Sequence, residues 1–383
     1  MYRIPVSRPK ISRKNIKKVT QALKETNISG HANGVSEFEN KLADYLGVEH
    51  VVTVANGTVA LDLAIDVLDI SENDECVVPT FTIISTINQL VRKKAKIILV
   101  DADPNTWSLD VTKTLEVLNP KTKIVLPVHI YGLPVDMQPL IDNKRENNYR
   151  ILEDAAEALG VEYREKKCGS FGDLATFSFY ANKLITTGEG GAITVKDFES
   201  AEKLRNLRNL NFIPGKRFVS ENIGYNARLN NLSAQLGISQ LEEIEKLQSI
   251  RMALAKLYKE GLRDHPWLEF QIEKTDYAIN QYWVFGIKLK KEAPLDSPTL
   301  TNVLSTYGIE SRRFFCPLHL QPVAKKNNFF TNGSLIISEE LWERGLYLPF
   351  GNGITAKEVE IVIDIMWKIY RNYGKGIEIR GKF

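Results

Sequence analysis

KIVLPVHIYGLPVDMQPLIDNKRENNYRILEDAAEALG, from Lys123 to Gly160, holds an apolar run, an amphipathic stretch and a second apolar run that closes on Glu153 and Asp154. Short, continuously apolar strands joined by a helix-length amphipathic segment are the mark of a parallel sheet buried on both faces. The same alternation extends outward in both directions. VVTV (Val51–Val54) leads into TVALDLAIDVL (Thr58–Leu68), ECVVP (Glu75–Pro79) into TIISTINQLV (Thr82–Val91), and KIILVDAD (Lys96–Asp103) into LDVTKTLEVL (Leu109–Leu118). LATFSF (Leu174–Phe179) and AITV (Ala192–Val195) follow. The stretch therefore predicts an α/β fold with a mostly parallel sheet, whose ligand crevice lies at the carboxyl ends of the strands.

Past this region a helical pattern runs from Leu232 to Leu262, with Leu236, Leu241, Ile244, Leu247, Leu254 and Leu257 near helical spacing. It reads as a connector between two lobes or as an oligomer surface. After His265-Pro266, YWVFGIKL (Tyr282–Leu289) and GIESRRFF (Gly308–Phe315) look like strands, and AKEVEIVIDIMWKIYRNY (Ala356–Tyr373) like a closing helix. The expected division is a large domain over 1–245 and a smaller α+β C-terminal domain over 246–383, with the last residues, Gly374–Phe383, fraying.

The composition is that of an ordinary globular chain: 383 residues, 43% hydrophobic, 25% charged. Lys+Arg 50 against Asp+Glu 47 leaves +3, too little to call for nucleic acid or an anionic membrane. The start, MYRIPVSRPKIS, has no apolar core of a secretory signal, and no run is long enough to span a bilayer. The cysteines, Cys76, Cys168 and Cys316, are odd in number and far apart, and the five histidines show no metal-ligand spacing. A cytoplasmic chain without a metal is expected.

Residues at the predicted strand ends carry the chemistry. Lys183 lies in FSFYANKLITTGEGG (Phe177–Gly191), between an apolar strand and a glycine cluster. Desolvation disfavours its ammonium, and a neutral amine can form a Schiff base with a carbonyl. Asn56-Gly57-Thr58 opens a helix whose free N–H groups suit a phosphate. Asp154 ends a buried strand, where a carboxylate needs a strong partner such as a pyridinium N–H. Ser178 offers a hydroxyl five positions before Lys183. Each also has a plain structural reading: a helix cap for Thr58 and Asp154, a strand-face polar group for Ser178, a tight turn for Gly188–Gly191. Taken together they read as a phosphate cup, a ring-nitrogen acid and a Schiff-base lysine. No GxGxxG follows the first strand, so a dinucleotide-binding dehydrogenase is disfavoured.

With these residues in place the chain resembles the DegT/DnrJ/EryC1/StrS sugar aminotransferases over nearly its whole length. The resemblance is carried by NGTVALDLA, VVPTFT, VDADPNTW, PVHIYGLPVDM, EDAAEALG, GSFGDLATFSFYANKLITTGEGG, GYNARLNNLSAQLGISQLE and FFCPLHLQP. It implies the aspartate-aminotransferase type of fold (fold type I) and pyridoxal 5'-phosphate as cofactor. Lys183 would hold that cofactor covalently and shuttle the proton, and Asp154 would pair with its ring nitrogen. Glu157 would lie near the 3-hydroxyl, where the family has Gln, Glu or His. Gly57, Thr58 and Ser178 would hold the phosphate, and Asn226 would reach the phosphate in a neighbouring subunit of a homodimer with shared active sites. His129 and His319 would lie near the sugar pocket. FSFYANKLITTGEGG and EDAAEA look most like the GDP-perosamine synthase branch, which implies a nucleotide-linked 4-keto-6-deoxyhexose as acceptor and L-glutamate as donor. A dTDP- or UDP-linked, viosamine-forming reaction is the alternative, and a non-catalytic regulatory protein that binds the cofactor is a remote one. Dehydratases of the same fold carry His at the lysine position, and Lys183 argues against them. Two departures stand out. Ile83 occupies the place where an aromatic ring stacks on the cofactor, with Phe81 as a poorer substitute, and Ala181 replaces a Gly.

Overall fold

A computed structural model describes residues 3–373 apart from 214, 217, 328 and 332, so the expected fraying of Gly374–Phe383 lies outside the described residues. Seven strands of the first half build the main sheet: β1 (His50–Val54), β2 (Glu75–Pro79), β3 (Lys96–Val100), β4 (Thr122–Val125), β5 (Arg150–Asp154), β6 (Leu174–Ser178) and β7 (Gly191–Val195). Their order is β1-β7-β6-β5-β4-β2-β3. The β2–β3, β2–β4, β4–β5 and β5–β6 pairs are parallel; β7 runs antiparallel to both β6 and β1.

The continuous apolar runs have the physical basis expected of them. Alternate residues of one strand enter different cores: Val52, Val54, Cys76, Val78, Ile97 and Leu99 pack on one face of the sheet. Val51, Val77, Ile98 and Val100 pack on the other. With both faces covered, period-two alternation vanishes from the sequence. Three helices of the first 70 residues, α1 (Arg13–Lys24), α2 (Asn33–Leu46) and α3 (Gly57–Val67), contribute to the cover. α3 starts directly after β1 and packs on β6 and β7.

The pattern from Leu232 to Leu262 is two helices, α4 (Asn231–Leu241) and α5 (Ile244–Leu262). The break falls at Glu242 and Glu243, where the Glu243 carboxylate accepts from the Ser12 hydroxyl at 2.8 Å and from Asn15 Nδ2 at 3.1 Å. α4 packs on α1 and α2 in one lobe, whereas α5 packs on the C-terminal helix α6 (Ala356–Tyr373) in a second. The second half adds β8 (Leu268–Phe270), β9 (Phe285–Leu289), β10 (Arg312–Arg313), β11 (Phe330–Thr331) and β12 (Gly345–Leu348). An antiparallel sheet of order β8-β9-β12-β10 packs against α5 and α6 around a third core. Two segments cross between the lobes. Arg3 donates its N–H to Gly308 O at 2.9 Å and Ile4 bridges Ile309, beside the second sheet. β11 pairs in parallel with β3 at the edge of the first. Among the described residues no helix is long and apolar enough to cross a membrane, and no cluster of His, Cys, Asp and Glu could hold a metal ion.

Candidate active site

β5 and β6 are parallel neighbours, so their carboxyl ends open on the same edge, with Asp154 opposite Thr176. Asp154 is 3% exposed. Its Oδ1 accepts the Ala156 N–H at 3.2 Å and its Oδ2 accepts the Thr86 hydroxyl at 3.3 Å, both long bonds from neutral donors. Burial pushes its carboxyl above the usual range, opposed by the Ala156 N–H and by the charge of Lys183. A buried carboxylate so thinly solvated is matched to a cationic N–H.

Lys183 sits on the turn that leaves β6. Its N–H donates to Tyr180 O at 2.9 Å, and the turn is tied off by Thr187 N–H to Phe179 O at 3.0 Å, with Gly188 at φ 82. Its Nζ lies 3.9 Å from the centre of the Trp283 ring. Burial lowers its proton affinity; Glu157 and Asp154 raise it, and Arg251 lowers it further. Glu157, on the turn after β5, accepts the Tyr131 N–H at Oε2 at 2.9 Å. Burial lifts its carboxyl to about 7, a rise that the Lys183 charge opposes and the Asp154 charge increases.

The phosphate corner is built by close approach. Asn56 caps α3, its side chain accepting the Val59 N–H at 2.9 Å, which leaves the Gly57 and Thr58 amides at the open helix end. A Cβ on Gly57 would stand 2.9 Å from Ser178 Cβ, and one on Gly191 would stand 2.5 Å from Asn56 O. Ser178, Glu157 and Lys183 line one cavity together with Ala156, Arg251 and Trp283. Gln281 Oε1 and Tyr282 OH, from the same wall, and Asn182 Oδ1 beside Lys183 are buried without hydrogen-bond partners among the described residues. An amine, an under-solvated carboxylate, a helix N-terminus that a Cβ would crowd and three orphaned polar atoms fit a phosphorylated pyridine aldehyde.

Four other expected residues do not line this cavity. His129 is fully buried: Nε2 meets Glu153 Oε2 at 3.0 Å and Nδ1 accepts the Val135 N–H at 3.2 Å, so both ring nitrogens are occupied. His319 is likewise held, Nδ1 to the Thr80 hydroxyl at 2.8 Å and Nε2 to Glu339 at 3.0 Å. Asn226 is exposed and accepts from Arg228 Nη2 at 2.7 Å, outside the cavity of its own chain. Phe81 is 1% exposed and packs edge-on to Tyr131 at 5.9 Å, so it is turned into the core. Ile83, 47% exposed, precedes the turn that carries Thr86 to Asp154 and remains the residue at that edge. Thr86, Tyr131, Arg251 and Trp283 escaped the sequence reading. The positive φ of 59° at bulky Tyr131 is a local strain of the kind found at functional sites, but it has no sequence signal.

The aminotransferase family model of DegT/DnrJ/EryC1/StrS matches residues 9–367. GDP-perosamine synthase of Caulobacter vibrioides is 36% identical over 364 residues, covering 94% of this chain and 96% of that relative. GDP-perosamine synthase of Escherichia coli O157:H7 is 34% identical over 370 residues, covering 97% and 99%. Among solved structures, E. coli GDP-4-keto-6-deoxy-D-mannose-3-dehydratase with bound hydrated pyridoxal phosphate superimposes with a TM-score of 0.89 at 24% identity, over 96% of this chain and 100% of that one. That likeness establishes fold type I. With the family match spanning both lobes, this chain belongs to the DegT/DnrJ/EryC1/StrS aminotransferase family, whose enzymes are pyridoxal phosphate-dependent sugar transaminases.

Proposed function

We propose that this protein moves an amino group from L-glutamate to C4 of a GDP-linked 4-keto-6-deoxyhexose, as a GDP-perosamine synthase does. The observation that carries the reading is the Lys183 amine, set over Trp283 in one cavity with Glu157 and within the electrostatic reach of the buried Asp154. Identity to two GDP-perosamine synthases over nearly the whole chain supports the acceptor. Pyridoxal phosphate, when bound, supplies the carrier for the amino group and an electron sink for the carbon that loses its proton. Burial lowers the proton affinity of Lys183, so Nζ would be able to accept a proton from carbon and, in the second half of the reaction, deliver one at sugar C4. Asp154 would face the ring nitrogen, and a carboxylate there would favour a proton on that nitrogen. Glu157, whose carboxyl is held well above the usual range by burial, can hold a proton on Oε1 while Oε2 stays on the Tyr131 N–H. The Gly57 and Thr58 amides and the Ser178 hydroxyl would hold the phosphate. Trp283 excludes water beneath the amine.

The shared site also belongs to this proposal. Asn226 faces outward on a segment whose Phe218 and Ile223 are 76% and 93% exposed, a surface suited to a second copy of the chain. Asn226 would then serve the partner's cofactor phosphate. A competition reaction tests the acceptor: protein, cofactor and L-glutamate with equal GDP-, dTDP- and UDP-linked 4-keto-6-deoxyhexoses, read by mass spectrometry. Amination of the GDP sugar alone is expected; preferential amination of another nucleotide sugar refutes the assignment.

A further inference from the structure

Arg251, on α5, is 2% exposed and projects from the second lobe into the wall of the Lys183 cavity. Its three hydrogen bonds all go to neutral acceptors: Nε to Asn352 Oδ1 at 3.1 Å, Nη1 to Trp283 O at 2.8 Å and Nη2 to Asn182 O at 3.0 Å. No carboxylate among the described residues pairs with it, and burial alone pushes its guanidinium down to about 9. Burying an unpaired cation is costly and calls for an explanation. The contacts supply one. Asn182 and Leu184 flank Lys183 in the chain. Asn182 O receives both Arg251 and Trp283 Nε1, the latter at 3.2 Å, and Leu184 O receives Asn352 Nδ2 at 2.7 Å. Both peptide carbonyls beside the lysine are thus held by a network rooted at one guanidinium, which also fixes the backbone of the Trp283 ring lying against Nζ.

We propose that Arg251 is a positioning residue for Lys183, bracing the lysine turn from the second lobe and using its uncompensated charge to disfavour a proton on Nζ. Among the described residues, the other charged or titratable groups around Nζ are Glu157 and Asp154, from the end of β5, Tyr282 on the same cavity wall and Tyr131 against Glu157; the carboxylates act in the opposite sense. Arg251 therefore offsets the two acids that the site needs for other work.

The test uses the full chain freed of cofactor. Lys183 is labelled with an amine-acylating reagent across a pH series, and its peptide is quantified by mass spectrometry. In Arg251→Gln the labelling midpoint of Lys183 is expected to rise by about one pH unit, with native circular dichroism. Arg251→Lys keeps the charge but cannot bridge three acceptors. It should hold the wild-type midpoint while kcat falls and KM stays. A folded Arg251→Gln variant with an unchanged midpoint overturns the proposal. Should that variant not fold, an Arg251→Lys midpoint displaced toward ordinary lysine, or full kcat, overturns it. The inference rests on Lys183 as the reactive amine, and the two fail separately. A wild-type Lys183 that titrates like the surface lysines sinks the functional reading, whereas one that titrates low and ignores Arg251 sinks only this inference.

Discussion

Replacing Glu157 by Gln should make the protein more stable, by an amount that grows from acid to neutral and higher pH. The Glu157 carboxyl is lifted from 4.5 to about 7, chiefly by burial. In acid both folded and unfolded chains carry it protonated and the site costs nothing. As pH rises through 4.5 the unfolded chain releases the proton while the folded chain keeps it, so stability falls until pH passes the folded value near 7. At about 1.4 kcal/mol per unit, the penalty in the folded wild type reaches about 3 kcal/mol above that point. Gln is close to isosteric, and its Oε1 can take over the Tyr131 N–H now accepted at 2.9 Å. Urea unfolding of the cofactor-free chain reads the difference. Glu157→Gln should gain up to about 3 kcal/mol at about pH 8.5 and under about 1 kcal/mol at about pH 5. A gain equal at both pH values, or a loss at the higher one, refutes the reasoning. The same substitution removes a charge that raises the Lys183 proton affinity, so the Lys183 labelling midpoint should move down.

Three further outcomes follow from the geometry. Gly57→Ala drives a methyl to 2.9 Å from Ser178 Cβ. Cofactor affinity, followed by absorbance titration, should weaken about five- to 150-fold, since overpacking of this kind costs about 1–3 kcal/mol; an unchanged affinity removes Gly57 from the phosphate corner. Glu153 is fully buried and accepts the N–H groups of Gly169, Phe171 and Gly172 at 2.8, 2.7 and 2.6 Å besides meeting His129. Glu153→Ala should cost about 3–5 kcal/mol in neutral urea unfolding. The deficit should shrink in acid, because, against burial that raises it, His129 and the Gly172 and Gly169 N–H groups hold the carboxyl below its ordinary value, and wild-type stability is lost as pH falls through it. Finally, Lys183→Ala and Asn226→Asp should each be inactive, while refolding them together should restore activity through mixed dimers that hold one intact site. No recovery on mixing speaks against a shared site.

The main sheet was legible because its strands are buried on both faces, which writes them as unbroken apolar runs from VVTV to AITV. Lys183, Asp154, Ser178 and Gly57 drew notice for a related reason: each lies at or within a few residues of the end of such a run, and a parallel sheet gathers its carboxyl ends. Arg251 and Trp283 were not, because they reach the cavity from the second lobe, and no local pattern encodes which face of α5 or which end of β9 meets the lysine turn. Helical spacing ran on through Glu242 and Glu243, since the break there is made by Ser12 and Asn15, more than 220 residues away. His129 and His319 entered only through the family resemblance, and the sequence could not show that each ring is engaged by a carboxylate and one further partner.

The most direct test of the account is to locate the cofactor on the chain. The protein loaded with pyridoxal phosphate is reduced with borohydride, which fixes the cofactor wherever its aldehyde is bound, and then digested and sequenced by mass spectrometry. The expected result is a single modified peptide carrying the label on Lys183, absent from Lys183→Ala. A label spread over surface lysines, or one that persists in Lys183→Ala at equal yield, would contradict the account.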